Sequence, residues 1–225
     1  MAELRGRTIC FIDNSYIFRG SYKHQWRVDF RKLVEVLSRH GAVWQTYFFA
    51  SEEDPPNSDQ TNLYKYLKLA LHFEVNLYPL RKRQMRCNAC GNEWSSYSEK
   101  AAAIGMASTL VSLGYNNAFD TAILVTGDSD FLDPIQTVKS LGKRIELAAW
   151  RDSIAQDLEM EASTDIFYLD EHRDKLERPP SSGSTVEVLP AVGPFEDDID
   201  APQKDNQSFD EDAGKPLGGL GDEEY

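Results

Sequence analysis

Residues Phe119–Trp150 read FDTAILVTGDSDFLDPIQTVKSLGKRIELAAW, and this stretch decides the fold. Thr121–Thr126 (TAILVT) is a continuous apolar run, suited to a strand buried on both faces. Helical spacing follows over Phe131–Leu141, and Gly142 stops it. Arg144–Ala149 (RIELAA) is the next strand. Two apolar strands joined through a helix form a crossover unit, whose strands run parallel.

The same alternation extends outward. Thr8–Asp13 (TICFID) reads as a central strand, and Phe30–Leu37 as a helix capped by Asp29 and ended by Gly41. Val43–Ala50 is β-branched and aromatic, hence a strand. A loop at Asp54 to Asn57 leads into a helix over Thr61–Phe73 and a strand over Glu74–Leu80. Ser98–Leu113 reads as a helix with Ser98 as its cap. Ser153–Ala162 reads as a helix and Ile166–Leu169 as an edge strand. The expectation is an α/β chain with a mostly parallel sheet and helices on both faces.

Composition sets the limits. The chain has 225 residues, 41% hydrophobic and 11% aromatic, enough for one sizeable core. Mean hydropathy is -0.50. No run of about 18 apolar residues occurs, which excludes a helical membrane span. The first residues, MAELRGRTICFIDNS, do not read as a signal peptide, because the apolar stretch is short and holds Asp13. Three cysteines are too few for a disulfide scaffold, so a reducing cytoplasm is the expected compartment. The net charge of -13 is uneven: from Pro179 onward there are 12 acids against 2 lysines. Residues 1–178 therefore carry only about three of those negative charges, and their near-neutral balance does not exclude a nucleic acid. Residues 1–178 are expected as the folded domain. Residues 179–225, rich in Pro, Gly, Ser and acid, are expected as a disordered tail. It reads first as a solvating segment, and second as one that binds a protein partner or the basic insert described below.

In open α/β sheets, ligands bind beyond the carboxyl ends of the strands. The first strand ends in Asp13-Asn14-Ser15, and the Thr121–Thr126 strand runs into Gly127-Asp128-Ser129-Asp130. If these strands are neighbours, Asp13, Asp128 and Asp130 converge. Close like charges resist joint ionisation, and a hard divalent cation such as Mg²⁺ or Mn²⁺ relieves the repulsion. Such a metal activates a water and stabilises the leaving oxygen of a phosphodiester. Gly127 is expected to make the tight turn that aims Asp128 and Asp130 back at the sheet. The plainer reading of each motif is a helix cap, with Ser129 or Asp130 capping Phe131–Leu141.

FIDNSYIF, taken with the block from Phe119 to Trp150, resembles the NYN domain of the LabA-like (DUF88) group in the PIN-like nuclease superfamily. The resemblance spans roughly residues 7–170. It implies a Rossmann-like, three-layer α/β/α sandwich and an Mg²⁺- or Mn²⁺-dependent ribonuclease site. Asp13 and Asn14 match the first-strand motif; Asp128, Ser129 and Asp130 match the GDSD motif; Lys100 matches a lysine that opens the preceding helix. One departure stands out: Ala103 and Thr109 occupy helix positions where the family shows acids. A degenerate relative that binds RNA and cuts poorly, a deliberately neutralised variant, and ordinary helix-favouring alanine are all compatible with the run Ala101–Ala103.

Residues 81–97 form an insert, RKRQMRCNACGNEWSSY. Cys87 and Cys90 have the spacing of half a zinc site, and structural Zn²⁺ wants four ligands. Two chains could share one site as a homodimer; a simple reduced turn and redox chemistry are the alternatives. Cys10 reads as a core thiol. Arg81, Lys82, Arg83 and Arg86 are the one dense basic cluster, and Trp94 lies near. Cations neutralise phosphates and aromatic rings stack unpaired bases, so the insert is expected to hold single-stranded RNA. The leading expectation is therefore a metal-dependent endoribonuclease. Asp13, Asp128 and Asp130 hold metal; Asn14 and Ser129 orient ligands; Lys100 contacts phosphate. The rivals are an inactive RNA-binding pseudonuclease and, more distantly, a phosphatase-like hydrolase, which the DNSYI end of the first strand disfavours.

Overall fold

A computed structural model describes residues 5–179, except 57, 87–89 and 99, and gives the backbone alone at 81–83 and 94–98. The chain divides into two units, residues 1–189 and 190–225, and the second lies wholly outside the described residues. So does the expected acidic tail from residue 180 onward.

The first strand, β1 (Thr8–Asp13), is buried at every position. Helices α1 (Asn14–His24) and α2 (Phe30–Leu37) lead to β2 (Val43–Glu52). Helix α3 (Ser58–Ala70) leads to β3 (Glu74–Pro79), and a hairpin of β4 (Arg81–Arg86) and β5 (Glu93–Ser98) follows. Helix α4 (Lys100–Tyr115) returns the chain to β6 (Thr121–Val125), α5 (Leu132–Ser140) and β7 (Arg144–Ala149). The short α6 (Gln156–Glu159), β8 (Phe167–Tyr168) and α7 (Arg173–Leu176) complete it. The main sheet has the order β3-β2-β1-β6-β7-β8, with parallel pairing throughout. The chain builds outward from β1 to β3, then returns to β6 and builds the other way.

Strands apolar on both faces demand two covering layers, and two apolar clusters supply them. One joins Ile12 and Phe48 of the sheet to Ile17, Leu33, Tyr64 and Leu67, from α1, α2 and α3. The other joins Phe11 and Leu124 to Met106, Leu110, Ile135, Val138 and Leu158, from α4, α5 and α6. Each large side chain so buried contributes about 1.5–3 kcal/mol before chain entropy is counted. The expected α/β/α sandwich with a mostly parallel sheet is the observed fold.

Several elements differ from expectation. Helix α1 was not foreseen: Asp13, read for chemistry, is also its N-cap and accepts from the Ser15 and Tyr16 backbone N–H groups. Gly20 weakens its helical pattern. A Cβ there would stand 1.9 Å from the Trp150 indole nitrogen, so packing requires the glycine. The expected cap Ser98 is the last residue of β5, and α4 starts at Lys100. The expected Ser153–Ala162 helix shrinks to four residues. The chain leaves it to pair with the sheet edge, where Ser163 N donates to the Ile145 carbonyl at 2.8 Å. The insert, given no secondary structure from the sequence, forms an antiparallel hairpin with Arg81 opposite Ser98 and Arg86 opposite Glu93. The helix expected at Phe131 begins with a 3₁₀ turn over Ser129–Phe131.

Candidate active site

The order reversal between β1 and β6 is a topological switch point, where a crevice opens beyond the carboxyl ends of the strands. Ile12 pairs with Val125, so the two strands end side by side at Asp13 and Thr126. The neighbourhood inferred from the two sequence motifs is therefore present.

Asp13 is 7% exposed. Its Oδ1 accepts from Ser15 N (3.0 Å), Ser15 Oγ (2.7 Å) and Tyr16 N (3.3 Å). Its Oδ2 accepts from Thr126 Oγ1 at 3.3 Å. Burial pushes the carboxyl above its usual range. The Ser15 and Tyr16 hydrogen bonds, the Arg19 charge and Thr126 oppose that shift. The same Thr126 hydroxyl lies 3.4 Å from Asp128 N, which donates to it, so one threonine links the two acidic motifs.

Asp128 is half-buried, while Ser129 and Asp130 are exposed. The cap of this turn is Asp128, whose Oδ1 accepts from Asp130 N at 3.0 Å, and not Ser129 or Asp130 as the plainer reading had it. Gly127 serves a different purpose from the one expected. Its φ is not positive; the need is space. A Cβ would stand 2.5 Å from the Tyr16 hydroxyl and 2.8 Å from the Ser153 carbonyl oxygen. Among the described residues, no three His, Cys, Asp or Glu side chains gather into a ready metal-holding group. Asp128 turns toward its own 3₁₀ turn, and Asp130 is exposed.

The other named residues lie on several elements. Asn14 is half-buried at the start of α1, and Lys100 is exposed at the start of α4. Ala103 packs on the apolar cluster beneath α4, and Thr109 Oγ1 donates to the Gly105 carbonyl at 2.8 Å. Hairpin β4–β5 joins β3 to α4, which places Arg81, Lys82, Arg83 and Trp94 on its strands. Arg86 is exposed and 3.8 Å from Glu93. Cys90 is an exposed free thiol, while Cys87 lies outside the described residues. Cys10 is fully buried, and burial pushes its thiol up to about 12, as befits a core residue.

Two contributors escaped the sequence reading. Thr126 was read only as a strand end, and Tyr16 only as part of a motif. Tyr16 is 4% exposed, and its hydroxyl accepts from Trp150 N at 2.9 Å. The signal available was its spacing: a capping Asp places the residue three positions on under its own carboxylate.

Among the described residues, no helix is long and apolar enough to cross a membrane. No curated protein matches the chain. A protein of unknown function from Vibrio parahaemolyticus RIMD 2210633 is similar in structure, with TM-score 0.59 at 18% identity, over 78% of this chain and 99% of that one. At that identity the likeness is one of fold. The NYN domain family matches residues 7–170. NYN domains lie within the PIN-like nuclease superfamily, which supports a function of nuclease type. With that match over most of its length, and with the family's two acidic motifs meeting at the switch point of its sheet, the chain belongs to the NYN domain family.

Proposed function

We propose that this NYN domain is a metal-dependent ribonuclease acting at the switch point. The observation that carries the reading is Asp13, a buried carboxylate at the middle of the sheet edge, whose Oδ2 accepts from Thr126 Oγ1, the hydroxyl that also meets the Asp128 turn. Burial pushes this carboxyl toward its neutral form, and a bound cation would favour the carboxylate. The donor set fits: Asp13 and Asp128 offer hard oxygens, and Mg²⁺ binds through one or two carboxylates while keeping its waters. Asp130, exposed on the same turn, would join through water. When bound, such a metal supplies an activated water and stabilises the leaving oxygen.

The chain's own residues do the rest. Thr126 holds Asp13 Oδ2 in place, and the α1 N-terminus holds Oδ1. Asn14 and Ser129 flank the crevice and would orient the phosphate. Lys100, at the foot of the hairpin, would contact it. The basic strand Arg81–Arg86, with Trp94 opposite Met85, would hold single-stranded RNA by charge and stacking. With two more ligands, from a second chain, Cys87 and Cys90 would complete a zinc site.

A second reading rests on α4. Ala103 packs on an apolar cluster and Thr109 is occupied with its own helix, so neither offers a carboxylate. That favours a domain that holds RNA without cutting it. Labelled single-stranded and structured RNA, incubated with Mn²⁺, Mg²⁺ or EDTA, separates the two. The ribonuclease reading expects metal-dependent cleavage that Asp13→Asn lowers about 100-fold or more. Binding without cleavage under every metal condition would remove the enzyme and leave the RNA-holding reading.

A further inference from the structure

Three segments meet on one phenol at the switch point. The Tyr16 hydroxyl accepts from Trp150 N at 2.9 Å and lies 3.3 Å from the Trp150 carbonyl oxygen, to which it donates. Ser153 Oγ donates to the Tyr16 hydroxyl oxygen at 3.2 Å. These contacts fasten the loop that follows β7 to helix α1. The backbone N–H of Tyr16 is bound to Asp13 Oδ1 at 3.3 Å, which fastens the same residue to the end of β1. The third segment is the turn after β6. Gly127 has no room for a Cβ because the phenol and the Ser153 carbonyl fill that space. The Gly127 carbonyl in turn accepts from Ala155 N at 2.9 Å.

We propose, on the nuclease reading above, that Tyr16 is a positioning residue that sets the Gly127–Asp130 turn against Asp13. It touches no substrate and acts through the backbone of the turn. A phenol suits this task. Its ring fills a buried space, while one oxygen serves a backbone donor, a backbone acceptor and a serine together. Phenylalanine would keep the packing and leave the Trp150 N–H unpaired. The turn could then drift from Asp13, and small displacements of catalytic groups lower turnover steeply.

Two measurements on the full chain test this, using Tyr16→Phe and the milder Ser153→Ala, which leaves the Trp150 bond in place. The first is amide hydrogen exchange, which needs no activity. The Asp130 and Ala155 amides, bonded to Asp128 Oδ1 and the Gly127 carbonyl, should exchange about tenfold faster in Tyr16→Phe, and less so in Ser153→Ala. The Asp120 amide, bonded to the Arg7 carbonyl at the far edge, should not change. The second is RNA cleavage with metal, where kcat should fall roughly 10- to 100-fold while KM moves less than about twofold. Unchanged exchange at the turn, or equal acceleration at Asp120, overturns the proposal. So does a wild-type kcat in a variant whose turn has loosened. If the wild type cuts no RNA, the nuclease reading fails, and the exchange pattern still decides whether Tyr16 sets the turn. If Tyr16→Phe does not fold, Ser153→Ala carries both measurements.

Discussion

At the scale of single residues, Asp13 carries two duties that different substitutions separate. It caps α1 and it presents a carboxylate to the crevice. Asparagine caps nearly as well as aspartate, whereas alanine forfeits about 1 kcal/mol. Asp13→Asn should therefore keep the melting temperature better than Asp13→Ala, while both lose cleavage; thermal melts beside the RNA assay check this. The thiols separate in the same way. Cys90 should react with a thiol reagent in the native protein, and Cys10 only after unfolding, because burial holds its thiol up near 12. Asp120 shows the opposite shift. It accepts from Arg7 N at 2.7 Å and from the Arg7 side chain, and these bonds hold its carboxyl below the usual range. A depressed acid contributes stability above its unfolded pKa and loses it as pH falls through the folded value. Asp120→Asn should thus lower the melting temperature at pH 7, with the difference shrinking below about pH 4. An unchanged difference at low pH would remove the linkage.

The element scale is governed by close approach. Helix α4 is seated on β3 through Gly105, where a Cβ would stand 2.0 Å from the Tyr78 hydroxyl. Gly105→Ala should cost about 1–3 kcal/mol in a denaturant titration, despite alanine's better helix propensity. The hairpin stands apart from the six-stranded sheet, since β4 and β5 pair only with each other. A two-stranded unit adds little stability by itself. Replacing residues 81–98 with a short Gly-Ser linker should leave the domain folded by circular dichroism and weaken RNA binding in a filter or anisotropy assay. Unaltered affinity would move the RNA contact elsewhere. The hairpin was hidden in the sequence because RKRQMR has no apolar alternation. Helix α1 was hidden because Gly20 and the polar run around it blur its period. Only the distant Trp150, which needs that glycine, explains the pattern.

Across the whole molecule, one ion pair ties distant parts together. Arg5 binds Glu146 at 3.0 and 2.6 Å and the Leu37 carbonyl at 2.5 Å, linking the chain's start, β7 and α2 at the amino edge of the sheet. Both side chains are about nine-tenths buried. Arg5→Ala would leave Glu146 with Arg144 at 3.6 Å, and should cost about 3 kcal/mol. Charge balance belongs to this scale as well. Removing residues 179–225 leaves a chain close to neutral, and its RNA affinity at low salt should rise.

What the sequence determined by itself was the alternation of strands and helices and the two acidic turns. Those signals are local: an apolar run over Thr8–Asp13 or Thr121–Val125, a capping Asp29, a stop at Gly142. The family motifs carry the same local information. Only the tertiary structure decided that β1 and β6 are neighbours, because strand order follows from how the crossovers pack and not from any one segment. It also decided that Gly127 yields space to Tyr16, that Thr126 joins the two acids, and that Asp130 is exposed where Asp128 is half-buried. Those facts depend on residues more than a hundred positions apart, and their spacing in the chain says nothing of their distance in the fold.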